Sequence, residues 1–151
     1  SVLDWVRARR PDLISWLVTG NTRTGGTAKL RYYGLSGFFD VAAPPAGVPG
    51  GDVPAGLVGS FSMCVEPRAC IVRRAMDMAE AQRPGLDPSE VLVIGDTPHD
   101  IEGAHAIGVP VLAVATNVHS LEELAAHRPW KAVGVLPDRE EFEALLGEAS
   151  P

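Results

Sequence analysis

Two short stretches carry the polar groups best suited to chemistry. The first is Thr19-Gly20-Asn21, which follows the apolar run at residues 13–18 (LISWLV). A hydroxyl at a strand tip, followed by glycine, lets backbone N–H groups approach an anion closely. The second is Gly95-Asp96-Thr97-Pro98-His99-Asp100, which follows the apolar run at residues 91–94 (VLVI). Asp96 stands at that strand end, Thr97 can cap the next helix, Pro98 suits its first position and Asp100 its third. Carboxylate oxygens at such a tip suit Mg²⁺, which keeps several waters and borrows oxygen from a substrate phosphate. Each stretch also has a plain structural interpretation, as an Asn/Gly turn and as a helix cap. A carboxylate directly after an apolar strand is costly without a partner, which favours a functional Asp96. Arg68 precedes an amphipathic helix, where it can reach a phosphate or simply be solvated. His99 is a candidate contact in the Asp96 loop, whereas His105, His119 and His127 read as surface or helix residues. No Ser-His-Asp order, Gly-x-Ser-x-Gly elbow or Walker loop is present.

The elements that must position these groups alternate. Residues 2–9 read as a helix, with Val2, Trp5 and Val6 on one side and Arg7 and Arg9 on the other, stopped by Pro11. Residues 13–18 read as a strand apolar on both faces. A helix is expected over 24–33, although Gly25 and Gly26 are unfavourable in it, with Gly34 as its stop. A short strand is expected within 38–43. The Pro/Gly-rich stretch 44–58 reads as a loop. Residues 69–82 form the best amphipathic helix, ended by Pro84. Strands at 91–94, 111–115 and 131–136 then alternate with helices at 101–107, 120–126 and 138–146. The last two helices open with capping boxes, Ser120 with Glu123 and Asp138 with Glu141. This order predicts an α/β fold, a parallel sheet covered on both sides, with ligands at the carboxyl ends of the strands.

Composition narrows the function. The chain has 151 residues, 46% hydrophobic, with 13 Lys plus Arg against 19 Asp plus Glu, for a net charge of −6. The size fits one domain, and the acidic balance argues against general nucleic-acid binding. No apolar run is long enough for a membrane span. Cys64 and Cys70 lack the spacing and the histidine of a zinc site. They read as reduced thiols of a cytoplasmic protein, the alternative being a disulfide across a short loop.

The stretches LVTGNTR (residues 17–23), AKLRYYGLSGFFD (28–40) and VLVIGDTPHDIEGAHAIGVPVLAVATNVHSLEEL (91–124) resemble the haloacid dehalogenase-like hydrolase superfamily, and within it phosphoglycolate-phosphatase-like members. The resemblance runs from about residue 2 to residue 146 and is weakest over 44–66. It implies a three-layer Rossmann-like core and Mg²⁺-dependent hydrolysis of a small phosphorylated metabolite. By the resemblance, Thr19 binds the transferring phosphoryl group with Gly20 and Asn21 beside it. Arg68 stabilises the nucleophile and phosphate charge, and Asp96 and Asp100 serve the metal. The superfamily's first motif, an Asp-x-Asp at the tip of its first strand, is not found: Asp4 lies on a helical pattern, and Asp40 and Asp52 lack the context. The central first strand and the cap domain are thus expected to be missing from this chain. The strands at 13–18 and 91–94 would then pair with each other, recruit another segment such as 57–63, or expose edges through which a homodimer could form.

Three hypotheses follow. The chain is the core of a Mg²⁺-dependent phosphatase, inactive by itself for want of the nucleophile. It is a non-catalytic relic of that fold, binding a ligand or a partner. Or it is an unrelated α/β module such as a receiver domain, which the order of Thr19 and Asp96 at two strand tips disfavours. Under the first, Thr19 and Asp96 serve one anion-and-cation site.

Overall fold

The structure, a computed structural model, describes residues 1–39, 59–62 and 66–148. The chain divides into two compact units, Leu3–Leu86 and Asp87–Pro151, the latter with Ser1–Val2.

In the first unit, helix α1 (Val2–Arg9) buries Trp5 and Val6. Strand β1 (Leu17–Thr19) is shorter than the apolar run that announces it. The reason is local: the Leu13 amide donates to the Arg10 carbonyl at 3.0 Å, so the run begins inside the turn that leaves α1. Helix α2 (Arg23–Tyr32) is capped by Thr22, whose hydroxyl accepts from the Gly25 amide. Gly34 takes a positive φ of 69°, as expected of a helix stop. Residues Ser36–Phe38 form a 3₁₀ turn, so Phe38 does not begin the expected strand; the rest of that segment, from Asp40, and the loop at 44–58 lie outside the described residues.

Strand β2 (Gly59–Phe61) pairs in parallel with β1, Leu17 opposite Gly59, Val18 opposite Ser60 and Thr19 opposite Phe61. Helix α3 (Arg68–Gln82) packs on both strands and buries Ile71, Val72, Ala75 and Met78. Gly26 of α2 has a packing role. A Cβ at Gly26 would stand 2.9 Å from Phe61 Cε1, so only glycine lets this ring lie against the helix.

In the second unit, Asp87 caps a 3₁₀ turn (Pro88–Glu90) that leads into β3 (Val93–Gly95). Then follow α4 (Pro98–His105), β4 (Val111–Val114), α5 (Leu121–Ala126), β5 (Lys131–Val133) and α6 (Arg139–Glu148). The three strands form a parallel sheet in the order β3-β4-β5. Helix α4 packs on β3 and β4, and α5 on β4 and β5. Central β4 is buried along its whole length, as its apolar sequence predicts. Ile94 of β3 departs from that pattern at 47% exposed, so one face of this strand is open.

The architecture is therefore α/β, with parallel strands flanked by helices. Among the described residues no strand pairs with both β1 and β3, as expected if the central strand is missing. The recruited segment is β2, which joins β1 and not β3.

Candidate functional site

The anion-binding candidates gather at the carboxyl end of β1. Thr19, its last residue, accepts two hydrogen bonds on Oγ1, from the Asn21 amide at 3.1 Å and from Asn21 Nδ2 at 2.8 Å. A hydroxyl that accepts twice still has its own hydrogen to donate. Asn21 Oδ1 in turn accepts from Lys29 Nζ at 3.2 Å, which brings a cation from α2 to the same loop. The loop is pinned to the exit of β2 by the Ser62 amide, which donates to the carbonyls of Thr19 and Asn21, each at 3.1 Å.

Arg68, the first residue of α3, reaches back across this loop. Its Nη1 lies 3.2 Å, and its Cζ 3.6 Å, from where a Cβ on Gly20 would be. All four phosphate-binding candidates from the sequence, Thr19, Gly20, Asn21 and Arg68, therefore meet at one strand tip. Together with Lys29 they offer a hydroxyl, backbone N–H groups and two cations. Those are the groups that hold a phosphate.

Beneath this loop Arg74 is fully engaged. Nη1 donates to the Phe61 carbonyl at 2.8 Å and Nη2 to Glu66 Oε2 at 2.7 Å. The Arg74 and Glu66 side chains are only 15% and 11% exposed, so the pair is a structural strut rather than a ligand-binding group.

The metal candidates lie in the second unit. Asp96 follows β3 directly, and its Oδ2 accepts from Asn117 Nδ2 at 3.3 Å. Asn117 lies in the turn after β4, the neighbouring strand, whose Ala113 stands opposite Gly95. Asp100 is committed to the helix. Its Oδ2 accepts from the Thr97 hydroxyl at 2.8 Å and the Thr97 amide at 3.2 Å, closing a capping box at the start of α4. Its carboxylate also lies over Gly95, where a Cβ would come within 2.7 Å of Asp100 Cγ. Asp100 thus supports the Asp96 turn through the helix cap, and Gly95 is the residue that makes room for it.

Among the described residues no three His, Cys, Asp or Glu side chains are grouped to hold a metal. Mg²⁺ needs only one or two protein carboxylates beside its waters. The Asp96 carboxylate is a hard-oxygen donor of the kind this ion takes, and Asn117 turns its amide nitrogen toward it, so that Asn117 steers the carboxylate. Asn117 escaped the sequence reading, as did Lys29. The signal for Asn117 was present: it is a polar residue just past the apolar β4, where parallel strands place ligands.

The remaining candidates are peripheral. His99 and His127 stand 3.9 Å and 3.3 Å from Glu102, and His119 3.9 Å from Glu123; His99 is exposed, and His119 and His127 are half-buried. Cys70 is an exposed free thiol on α3, and Cys64 lies outside the described residues. No helix among the described residues is long and apolar enough to cross a membrane.

The chain was compared with known proteins. No curated protein matches it. Among solved structures, a Clostridium difficile protein provisionally named a phosphatase matches with a TM-score of 0.71 and 18% identity, over 96% of this chain and 57% of its own. Two provisionally named beta-phosphoglucomutases match similarly. The one from Bacteroides vulgatus has a TM-score of 0.66 and 20% identity, over 98% of this chain and 51% of its own. The one from Thermotoga maritima has a TM-score of 0.64 and 18% identity, over 97% and 57%. This chain therefore spans between half and three fifths of the length of these structures, and they establish its fold. The family itself is settled by sequence. The model of the HAD-hydrolase-like (haloacid dehalogenase-like) family matches residues 64–141, a stretch that holds Arg68, Asp96, Asp100 and Asn117, and the chain belongs to that family.

Proposed function

We propose that the chain is the phosphate- and metal-binding core of a Mg²⁺-dependent phosphate monoester hydrolase. The observation that carries this reading is the Arg68 guanidinium against Gly20, beside the Thr19 hydroxyl at the end of β1. In this reading Thr19 donates its hydroxyl hydrogen to a phosphoryl oxygen. Arg68 balances phosphate charge, and Lys29 holds Asn21 in place. Asp96, steered by Asn117, would hold Mg²⁺, and the ion would supply positive charge when bound. The ligand of the β1 site is a small phosphorylated metabolite.

Hydrolysis through a covalent intermediate needs a carboxylate nucleophile. Asp4 is exposed within helix α1, not the residue that ends a strand, and no Asp-x-Asp occurs in the sequence. We infer that this chain binds phosphate monoesters without turning them over. The test is an assay of the purified chain with p-nitrophenyl phosphate and Mg²⁺, alongside calorimetric titration with inorganic phosphate. Phosphate binding without hydrolysis is the expected result. Hydrolysis abolished by Asp96→Ala would reveal a nucleophile within these 151 residues. Neither binding nor hydrolysis would remove the proposal.

On the same reading, the edge of β3 that carries no pairing among the described residues is where a second copy of the chain would add. Size-exclusion chromatography showing a dimer supports this, and a stable monomer removes it.

A further inference from the structure

Arg23 opens α2, two residues after Asn21, and its charge has no role in the site described so far. Its Cζ lies 5.2 Å from the centroid of the Phe61 ring. Its Nη1 is buried, and among the described residues this donor has no acceptor. The contrast with Arg74 is instructive, because the two arginines flank the same residue. Arg74 donates to the Phe61 carbonyl and to Glu66, whereas the contact of Arg23 among the described residues is with the face of the Phe61 ring. That ring also borders the phosphate loop. A Cβ on Gly26 would lie 2.9 Å from Phe61 Cε1 and 3.7 Å from Thr19 Cγ2, so Arg23, Phe61, Gly26 and Thr19 form one chain of contacts.

A buried guanidinium donor without an acceptor is costly, and proteins keep such groups where something else supplies the acceptor. Stacking on an aromatic face fixes the plane of the guanidinium while leaving its N–H edge open. A planar fork held in this way matches the oxygens of a phosphate.

We propose that Arg23 is a phosphate-binding residue, held ready by the Phe61 ring and satisfied only when the anion is bound. This rests on the phosphate-binding reading of the β1 tip and adds a second arginine to Arg68 there. The ligand it favours is a phosphate carrying two negative charges rather than a singly charged anion.

The experiment is calorimetric titration with inorganic phosphate and thermal melting, on the wild-type chain and on Arg23→Gln, Arg23→Lys and Thr19→Val. Arg23→Gln is expected to bind phosphate about tenfold more weakly, while its ligand-free melting temperature stays level or rises because a buried unsatisfied donor is gone. Arg23→Lys keeps the charge but loses the stacked plane, and a several-fold loss is expected. Should Arg23→Gln fail to fold, Arg23→Lys carries the test, and unchanged affinity there overturns the proposal. A lower melting temperature with unchanged affinity in Arg23→Gln assigns the arginine to the fold and also overturns it. If Thr19→Val loses phosphate while both arginine variants keep it, the β1 site stands and the role of Arg23 falls. If the wild-type chain binds no phosphate, the site falls and Arg23 with it.

Discussion

The Arg68 guanidinium lies against the backbone of Gly20: Nη1 is 3.2 Å from the position a Cβ would take there. One residue follows a strand and the other begins a helix 48 positions later in the sequence. A glycine at this point lets a cation sit directly over the loop that carries the Thr19 hydroxyl.

Gly20→Ala should therefore weaken phosphate binding without harming the fold. The new methyl group meets the far end of a flexible side chain, so the guanidinium shifts and stability changes by less than about 1 kcal/mol. Calorimetry with inorganic phosphate should show a several-fold loss of affinity, with an unchanged urea midpoint. Unchanged affinity would place Arg68 outside the anion site.

The Glu66–Arg74 pair should behave as a buried ion pair. Glu66→Ala strands a cation that is 15% exposed, and breaking one side of such a pair costs about 3–5 kcal/mol. Replacing both residues with apolar ones, Glu66→Leu with Arg74→Met, should recover most of that loss. Urea denaturation of the single and double variants measures it. A single-variant loss below about 1 kcal/mol would place the pair among weak surface contacts.

Asp96 and Asp100 should separate by experiment, although they lie four residues apart. Asp100→Ala opens the capping box with Thr97 and should cost about 1 kcal/mol of stability. Asp96→Asn should leave stability nearly unchanged but abolish divalent-cation binding, and Asn117→Ala should weaken it. Titration with Mn²⁺, followed by electron paramagnetic resonance, checks the order. Equal losses of Mn²⁺ from Asp96→Asn and Asp100→Ala would make Asp100 a ligand beside Asp96.

Acid should loosen the turn that leads into β3. The Ser89 hydroxyl and amide, donating to Asp87, hold its carboxyl below the usual carboxylate range. A depressed acid stabilises the folded state above its unfolded value, and that contribution disappears as pH falls through the lower folded value. The Ser89 amide resonance should follow this titration by NMR, and Asp87→Asn should remove it. A titration at the ordinary carboxylate value would contradict the hydrogen bonding.

Much of this was legible in the sequence. The capping signals at Thr97, Ser120 and Asp138 each became a closed box, because such boxes depend on residues only three apart. Central β4 was legible because burial on both faces leaves an unbroken apolar run. Strand edges were less so. Residues 13–16 are as apolar as a strand, yet the Leu13 amide belongs to the turn after α1. Ile94 reads as core but is exposed, since apolarity records what a strand can bury and not what covers it. Thr19, Arg68 and Asp96 were singled out as candidates from strand ends and from family resemblance. Lys29, Asn117 and Arg23 were not, because their roles depend on tertiary contacts with Asn21, Asp96 and Phe61 that no local spacing encodes.

The central claim is that Thr19 and Arg68 bind phosphate at the end of β1. The most direct measurement is calorimetric titration of inorganic phosphate into the wild-type chain, Thr19→Val and Arg68→Gln, with urea denaturation of each as the control for folding. Binding by the wild-type chain, weakened about tenfold or more in each variant with an unchanged urea midpoint, is the predicted result. Wild-type affinity in both variants, or no binding by the wild-type chain, would contradict it.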